Sequence, residues 1–343
     1  MAAIGALILS ASCAEDGLDV TGKTTAVTFT VVAPGSIRSK ANNIDDNGES
    51  TIANGLNTDI LFYEIYDKND GTEKLLGEGQ QKGSIEADGR MTFTFTLNLV
   101  IDQDYHILFW AHVNGADGGE KHYDVSDLRK VKIKDNYAGF KANDESRAAF
   151  YAYHSFSAKA DAPTQEVALT RPFAQLNIGT STLESSLTED IAVQTTTVTV
   201  SNAANIFDTF AGEGKLELEG ENELAVSFEA AATPHGDVDN ASKLLNVNNE
   251  AYHWLGMNYI LVEGLQDTAD KVIMEIVTNA GTVRHTVPTV PFKKNYRTNL
   301  IGNLLTTGVE FIVVVDKLFE SDRDNATEED ENVVWDNENK QWN

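Results

Sequence analysis

The feature that most constrains the fold is a strict alternation of apolar and polar residues in several short segments. The longest example is Met91–Leu99, in which Met, Phe, Phe, Leu and Leu alternate with Thr, Thr, Thr and Asn. Successive side chains of a β-strand point to opposite faces, so this period of two predicts a strand with one buried face and one solvated face. The same pattern occurs in segments 27–31, 198–200, 216–219 and 224–228.

Other segments predict more central strands, because they are rich in β-branched and aromatic residues: 61–66, 105–111, 272–277 and 311–315. Glycine-containing turns separate many of these segments. Many short strands with few helical periods predict an all-β chain built from β-sandwiches. We also expect a few short helices, near Glu145–Tyr151, Leu183–Glu189 and Asn202–Phe207.

The length of 343 residues favours two domains. The best linker is the segment around Pro163, so we place the boundary after Thr164. The predicted division has a signal peptide at 1–12, an N-terminal β-sandwich at 13–164, a C-terminal β-sandwich at 165–319 and an acidic tail at 320–343. The tail ends in apolar residues that a purely solvated segment would not need.

Composition and motifs argue against several functions. The net charge of −27 disfavours binding to nucleic acid or to anionic lipid, both of which need a basic surface. No nucleophile elbow, phosphate-binding loop or zinc-binding helix motif occurs. His106 and His112 share one strand face, but no third metal ligand accompanies them. The calcium-loop-like spacing from Asp67 to Glu78 is better explained as a hairpin turn, since its flanks are predicted strands. We therefore expect no enzyme activity, no cofactor and no metal.

The only cysteine, Cys13, follows a short apolar run and several small residues. This arrangement resembles a bacterial lipoprotein signal, in which the cysteine is acylated and becomes the new N-terminus. It predicts export and a lipid anchor in the outer membrane, at the cell surface. The basic residues that usually begin such a signal are missing. The alternative is a chance cysteine with no such role.

Two longer segments are similar to a known family. The first contains Arg171-Pro-Phe-Ala-Gln-Leu-Asn177, and the second contains Asn295-Tyr-Arg297-Thr-Asn299-Leu-Ile-Gly302. Together they closely resemble segments of the fimbrillin-like lipoproteins of Bacteroidales, relatives of type V pilus subunits. Arginine can bond several carbonyls and asparagine suits turns, so we expect Arg171, Asn295, Arg297 and Asn299 to hold strands together rather than to contact a ligand.

The resemblance implies two consecutive transthyretin-like or immunoglobulin-like β-sandwiches and a fimbrial subunit that acts in adhesion. It implies polymerisation with other pilin subunits by donor-strand exchange, after a trypsin-like protease has removed the first strand. Arg38 is the first candidate cleavage position and Lys40 the second, in the polar segment after strand 27–32. The candidate donor strand is Val333, Val334 and Trp335, although these residues might instead pack on their own domain.

One alternative function remains open, a monomeric surface lipoprotein that binds glycans or host ligands. Trp110, Tyr123 and Trp254 would then offer ring faces for sugars, although aromatic residues in strands are more often part of the core. Asp267-Thr268-Ala269 also resembles the short O-glycosylation motif of this group of bacteria, which makes Thr268 a candidate modification site.

Overall fold

The computed structural model has regular structure that is almost entirely β-strand, which confirms the predicted fold class of β-sandwiches. The residues it describes are 22–33, 58–68, 74–86, 90–114, 122–161, 164–181, 192–218, 223–231, 244–247, 250–263, 268–305, 311–316, 333–336 and 341–342. Within these ranges, no helix is long and apolar enough to cross a membrane.

The strands of the described residues, numbered in chain order, are β1 (Thr24–Val32), β2 (Ile60–Asp67), β3 (Leu75–Lys82), β4 (Ser84–Ile85), β5 (Met91–Val100), β6 (Asp104–His112), β7 (Tyr123–Asp124), β8 (Val131–Ile133), β9 (Ala149–Ser157), β10 (Gln165–Ala168), β11 (Phe173–Thr180), β12 (Val193–Val200), β13 (Ile206–Asp208), β14 (Glu213–Lys215), β15 (Val226–Ala231), β16 (Leu244–Val247), β17 (Glu250–Leu261), β18 (Thr268–Thr278), β19 (Gly281–Phe292), β20 (Arg297–Gly302), β21 (Phe311–Asp316), β22 (Val333–Asp336) and β23 (Gln341–Trp342). Three short 3-10 turns lie at Leu128–Lys130, Lys134–Tyr137 and Glu145–Arg147.

The first sandwich consists of two four-stranded sheets, with strand orders β10-β1-β5-β4 and β3-β2-β6-β9. Their inner faces meet through aromatic rings. Phe29 of β1 contacts Phe109 of β6, with ring centroids 6.3 Å apart, and Tyr63 of β2 stacks on Phe95 of β5 at 4.5 Å. In β1 and β5, the alternation predicted from the sequence thus places the apolar side chains of each strand in this core. β2 and β3 pair antiparallel, as expected of a hairpin rather than a calcium loop.

The second sandwich packs a four-stranded sheet, β15-β12-β18-β19, against a seven-stranded sheet, β16-β17-β11-β20-β21-β22-β23. β11 lies inside the larger sheet, and all eight of its residues are buried. In this strand Ala174, Leu176 and Ile178 alternate with Gln175 and Asn177, as in a half-buried strand, but the polar residues are buried as well. The alternation alone therefore does not reveal that β11 is covered on both faces.

A third element, the small sheet β14-β13-β8-β7, joins the two sandwiches. β8 belongs to the N-terminal half of the chain and pairs antiparallel with β13 of the C-terminal half. Gly214 of β14 lies so close to the backbone of this region that an added Cβ would overlap the carbonyl oxygen of Val262. One continuous hydrophobic cluster runs through both sandwiches, so they are held together by packing as well as by backbone pairing.

The expected short helices are wrong in two places. Glu145–Arg147 forms a single 3-10 turn, and the chain then enters β9 at Ala149. Asn202 has a φ of 55°, which is the left-handed region, and the chain after it leads into β13 instead of a helix. Residues of this type favour turns because they tolerate this backbone conformation. The third expected helix, at Leu183–Glu189, lies outside the described residues.

Candidate strand-exchange groove

β1, the first strand of the described residues, is an interior strand of its sheet. β1 pairs antiparallel with β5 over nine residues, from Thr24 opposite Val100 to Val32 opposite Thr92. On its other edge it pairs parallel with β10 over four residues, beginning with Phe29 opposite Gln165. β1 therefore offers backbone donors and acceptors to two neighbours. β10 has no other strand partner among the residues that the structure describes.

From Val27 onward, the inward side chains of β1 and of Ala33, which follows the strand, are buried in the core of the first sandwich. Val27 is 1% exposed, and Phe29, Val31 and Ala33 are 0% exposed. Burial of one Val or Phe side chain contributes about 1.5–3 kcal/mol, so the three larger side chains together contribute about 6 kcal/mol. The apolar half of the alternating sequence anchors β1.

Phe29 occupies an aromatic site formed by both sheets. Its ring centroid lies 5.3 Å from that of Phe95, 6.3 Å from that of Phe109 and 5.2 Å from that of Phe156. These rings come from β5, β6 and β9. The sequence analysis identified the strand at 27–31 but not this site, because the three rings lie far away along the chain.

The outer face of β1 is polar. The hydroxyl oxygens of Thr28 and Thr96 lie 3.0 Å apart across β1 and β5. Further along, β1, β5 and β10 form the floor of an open recess of about 530 Å³. Its lining residues are Thr30, Val32, Glu86, Arg90, Thr92, Thr94 and Glu166. A strand in this position therefore needs apolar residues on one face and tolerates hydroxyl groups on the other.

Removal of β1 would leave an open groove between β5 and β10. The backbone groups of both strands that now pair with β1 would lose their partners, and the aromatic rings around Phe29 would meet water. A sheet edge of this kind is a template for an incoming strand. The geometry supports exchange of β1 for another strand of similar pattern.

Three residues singled out by the sequence analysis cannot be placed relative to this groove. Cys13, Arg38 and Lys40 lie outside the described residues. The last contact before the segment that contains Arg38 is a hydrogen bond from the backbone N–H of Ala33 to the carbonyl oxygen of Met91, 3.0 Å long. Lipidation and cleavage at these residues stay predictions.

The candidate donor strand lies next to the edge of the larger sheet of its own chain, between β21 and β23. Val333, Val334 and Trp335 belong to β22, which pairs antiparallel with β21. In this pairing Val333 is opposite Val315, and Val334 is opposite Val314. The position corresponds to the alternative in which these residues pack on their own domain. Donation of this strand to another subunit would require it to leave β21.

The two sequence motifs meet at the start of β11. The backbone N–H of Arg171 donates to Oδ1 of Asn295 over 3.3 Å, across 124 residues of sequence. Asn295 has a φ of 67°, and its own backbone N–H donates to the carbonyl oxygen of Phe173. The guanidinium of Arg171, 1% exposed, lies 4.5 Å from the ring centroid of Phe150 and 5.2 Å from that of Tyr259. These contacts join the second motif to the first and connect both to the first sandwich.

The remaining motif residues form a buried polar layer in the larger sheet. Arg297 and Asn299 of β20 lie opposite Gln175 and Asn177 of β11. Nδ2 of Asn177 donates to Oδ1 of Asn299 over 2.9 Å. Both asparagines are almost fully buried, and buried amides are costly unless they are hydrogen-bonded. Their contacts within the chain are those of residues that specify strand pairing.

In the described ranges, no group of three or more His, Cys, Asp or Glu residues could hold a metal ion. One histidine, His122, lies beside a serine and an aspartate. Ser146 Oγ and Asp144 Oδ2 approach Nε2 of His122, at 2.9 and 3.6 Å. A hydrolytic triad has the acid on the opposite ring nitrogen from the serine, so these three residues do not form one.

Two buried titratable groups were not identified from the sequence. Glu64 accepts hydrogen bonds from the Tyr66 hydroxyl at 2.5 Å and from the backbone N–H of Leu128 at 2.9 Å. Burial raises the pKa of the Glu64 carboxyl, although both hydrogen bonds oppose this change. Burial also lowers the pKa of His112 to about 3, and repulsion by His122 acts in the same direction.

The aromatic residues proposed as sugar platforms are mostly inaccessible. Trp110 and Tyr123 are each 1% exposed and lie against each other, with ring centroids 5.3 Å apart. Trp254 is partly buried and packs against a small apolar cluster of the larger sheet. Neither Trp110 nor Tyr123 can present a ring face to a glycan.

Comparisons with known proteins place the chain in a family. Solved structures to which it is similar include the tip fimbrial protein Mfa3 from Porphyromonas gingivalis, 13% identical with a TM-score of 0.46, covering 85% of this chain and 99% of that chain. A fimbrial assembly protein from Parabacteroides distasonis is 12% identical with a TM-score of 0.44, covering 85% of this chain and 95% of that chain. No match was found among curated proteins. The sequence pattern of a family of unknown function, DUF6562, matches residues 19–334, and the chain therefore belongs to this family.

Proposed function

We propose that this protein is a subunit of a cell-surface fimbria that acts in adhesion and assembles with other pilin subunits by strand exchange. The observation that carries the proposal is the position of β1, which lies between β5 and β10 with its inner side chains buried. A single cut in the segment between β1 and β2 would separate this strand from the part of the fold that follows it. The groove it leaves is suited to a strand from a neighbouring subunit.

Proteolysis has a physical role in this proposal. While β1 is covalently attached, its effective concentration at the groove is of millimolar order or higher, so it outcompetes strands of other subunits. A cut by a trypsin-like protease after Arg38 or Lys40 removes this advantage. The incoming strand then gains the backbone pairing and the buried apolar surface that β1 lost.

The lipid anchor fits the same sequence of events. Acylated Cys13 would hold the precursor at the outer membrane through the segment that precedes β1. Cleavage after Arg38 would then release the lipid together with β1, so the anchor would be temporary for a fibre subunit. Within this chain, Val333, Val334 and Trp335 are the candidate donor residues for the next subunit.

Limited trypsin treatment of the purified full chain tests the proposal. We expect a defined cut at Arg38 or Lys40 and then a ladder of oligomers on gels. A cut chain that stays monomeric at high protein concentration would contradict polymerisation. Binding of glycans by the uncut monomer, without oligomers after cleavage, would support the monomeric surface lipoprotein instead.

A further inference from the structure

Three inward positions of β1 and the residue that follows this strand differ in the shape that they require. Position one holds Val27, position two Phe29, position three Val31 and position four Ala33, and each is at most 1% exposed. Position two lies among three aromatic rings, those of Phe95, Phe109 and Phe156, whereas Val31 at position three lies opposite Phe93 of β5. Interiors are packed tightly enough that a change of volume at such positions is costly in either direction. The groove can therefore discriminate between strands by the order of their side chains.

The two neighbouring strands also set the direction of an incoming strand. β1 runs antiparallel to β5 over nine residue pairs and parallel to β10 over four. A strand inserted in the opposite direction would be parallel to β5 and would need a different hydrogen-bond pattern on both edges. It would also meet the four positions in reverse order. The groove therefore accepts the order valine, aromatic residue, valine, small residue only in the direction in which β1 runs.

The C-terminal segment of this chain matches only half of this order. In its best alignment Val333 takes position one and Trp335 takes position two. Asn337 and Asn339 then fall on positions three and four. Burial of an amide without hydrogen-bond partners costs about 1–3 kcal/mol in proteins, and Trp is larger than the Phe that it would replace. Shifting the alignment by one residue places Val334 and Asp336 inward, which is worse.

We propose, building on the strand-exchange function, that the groove selects an extended segment of another protein chain with a defined pattern. The segment carries a β-branched residue, a phenylalanine, a β-branched residue and alanine at four alternate positions, in that order from its N-terminus. The C-terminal segment of this chain is a poor occupant. A subunit whose donor strand carries this pattern should therefore outcompete a second copy of this chain for the groove, although the cut chain alone can still oligomerise more weakly through its own C-terminal segment.

A peptide competition experiment tests the selectivity. A specific protease site is inserted between residues 34 and 57 of the full chain, a dye is attached to Cys13, and the chain is cut. Fluorescence anisotropy then measures the release of the dye-labelled β1 fragment from the cut chain. The competing peptides are residues 22–33, the same peptide with Phe29→Ala, the same peptide with Thr30→Ala as the outward-facing control, and residues 331–342.

We expect the unchanged peptide and the Thr30→Ala peptide to displace β1 at similar concentrations. The Phe29→Ala peptide should need at least about 100-fold more, from the usual cost of removing a buried phenylalanine ring. Residues 331–342 should need at least about 10-fold more. If either weak peptide competes within threefold of the unchanged one, the selectivity is wrong while strand exchange stands. If no peptide displaces β1, strand exchange itself fails, and the selectivity with it.

Discussion

Replacement of Phe29 by alanine should loosen β1 more than any other single truncation in that strand. The ring is 0% exposed and lies within 6.3 Å, centroid to centroid, of Phe95, Phe109 and Phe156. Truncation of a buried phenylalanine costs about 3–5 kcal/mol, because the transfer energy is lost and a cavity remains. Since each kcal/mol lowers the Tm of a domain of this size by roughly 2–4 °C, we expect a fall of about 6–20 °C.

Thermal unfolding by calorimetry measures the change in stability, and the dye on Cys13 of the cut chain reports the release of β1. Phe173→Ala is the matched control, since Phe173 is also buried, at 1% exposure, but belongs to β11 of the second sandwich. Both variants should be destabilised, whereas only Phe29→Ala should release β1 faster. Equal release rates, or a loss of less than about 1 kcal/mol for Phe29→Ala, would refute the assignment of Phe29 as the anchor.

Three further predictions concern groups away from the groove. The pKa of Glu64 is raised in the folded state, so the wild type should gain stability relative to Glu64→Gln as the pH falls from 7 toward 4.5; a pH-independent difference in urea unfolding would contradict this. The pKa of His112 is lowered from 6.5 to about 3. Below pH 6.5 the wild type should therefore lose up to about 1.4 kcal/mol of folding stability per pH unit relative to His112→Phe, and parallel pH–stability curves of the two proteins would exclude this. Asn299→Leu removes the acceptor of the hydrogen bond from Asn177 and should cost about 1–3 kcal/mol of folding stability. The exposed control Asn98→Leu should have little effect, and equal losses of stability in the two variants would argue against a structural role of the motif.

The half-buried strands of the first sandwich could be predicted from the sequence because their burial repeats every second residue. β1 and β5 are the clearest examples, with apolar residues on the inner face and threonines on the outer face. Turn residues between such strands carry their own signal, which is why the segment after Asp67 was recognised as a hairpin. Local patterns of this kind determine which segments are strands and which face they bury.

The partners of those strands could not be predicted, because pairing is non-local. β10 has only four residues, and nothing in Gln165–Ala168 indicates a parallel neighbour near the start of the chain. The contact between Arg171 and Asn295 spans 124 residues. The burial of Trp110 and Tyr123 depends on packing between distant segments. The groove could therefore be expected from a family resemblance, but its walls and its aromatic site required the structure.

The N-terminal residue of the protein in assembled fibres tests the central claim most directly. Fibres would be isolated from the cell surface, and the N-terminus would be determined by mass spectrometry of the intact subunit. The account predicts a first residue of Ser39 or Ala41, with β1 absent and its place taken by a strand of another subunit. A subunit that still carries Cys13 and residues 24–32 within the fibre would contradict it.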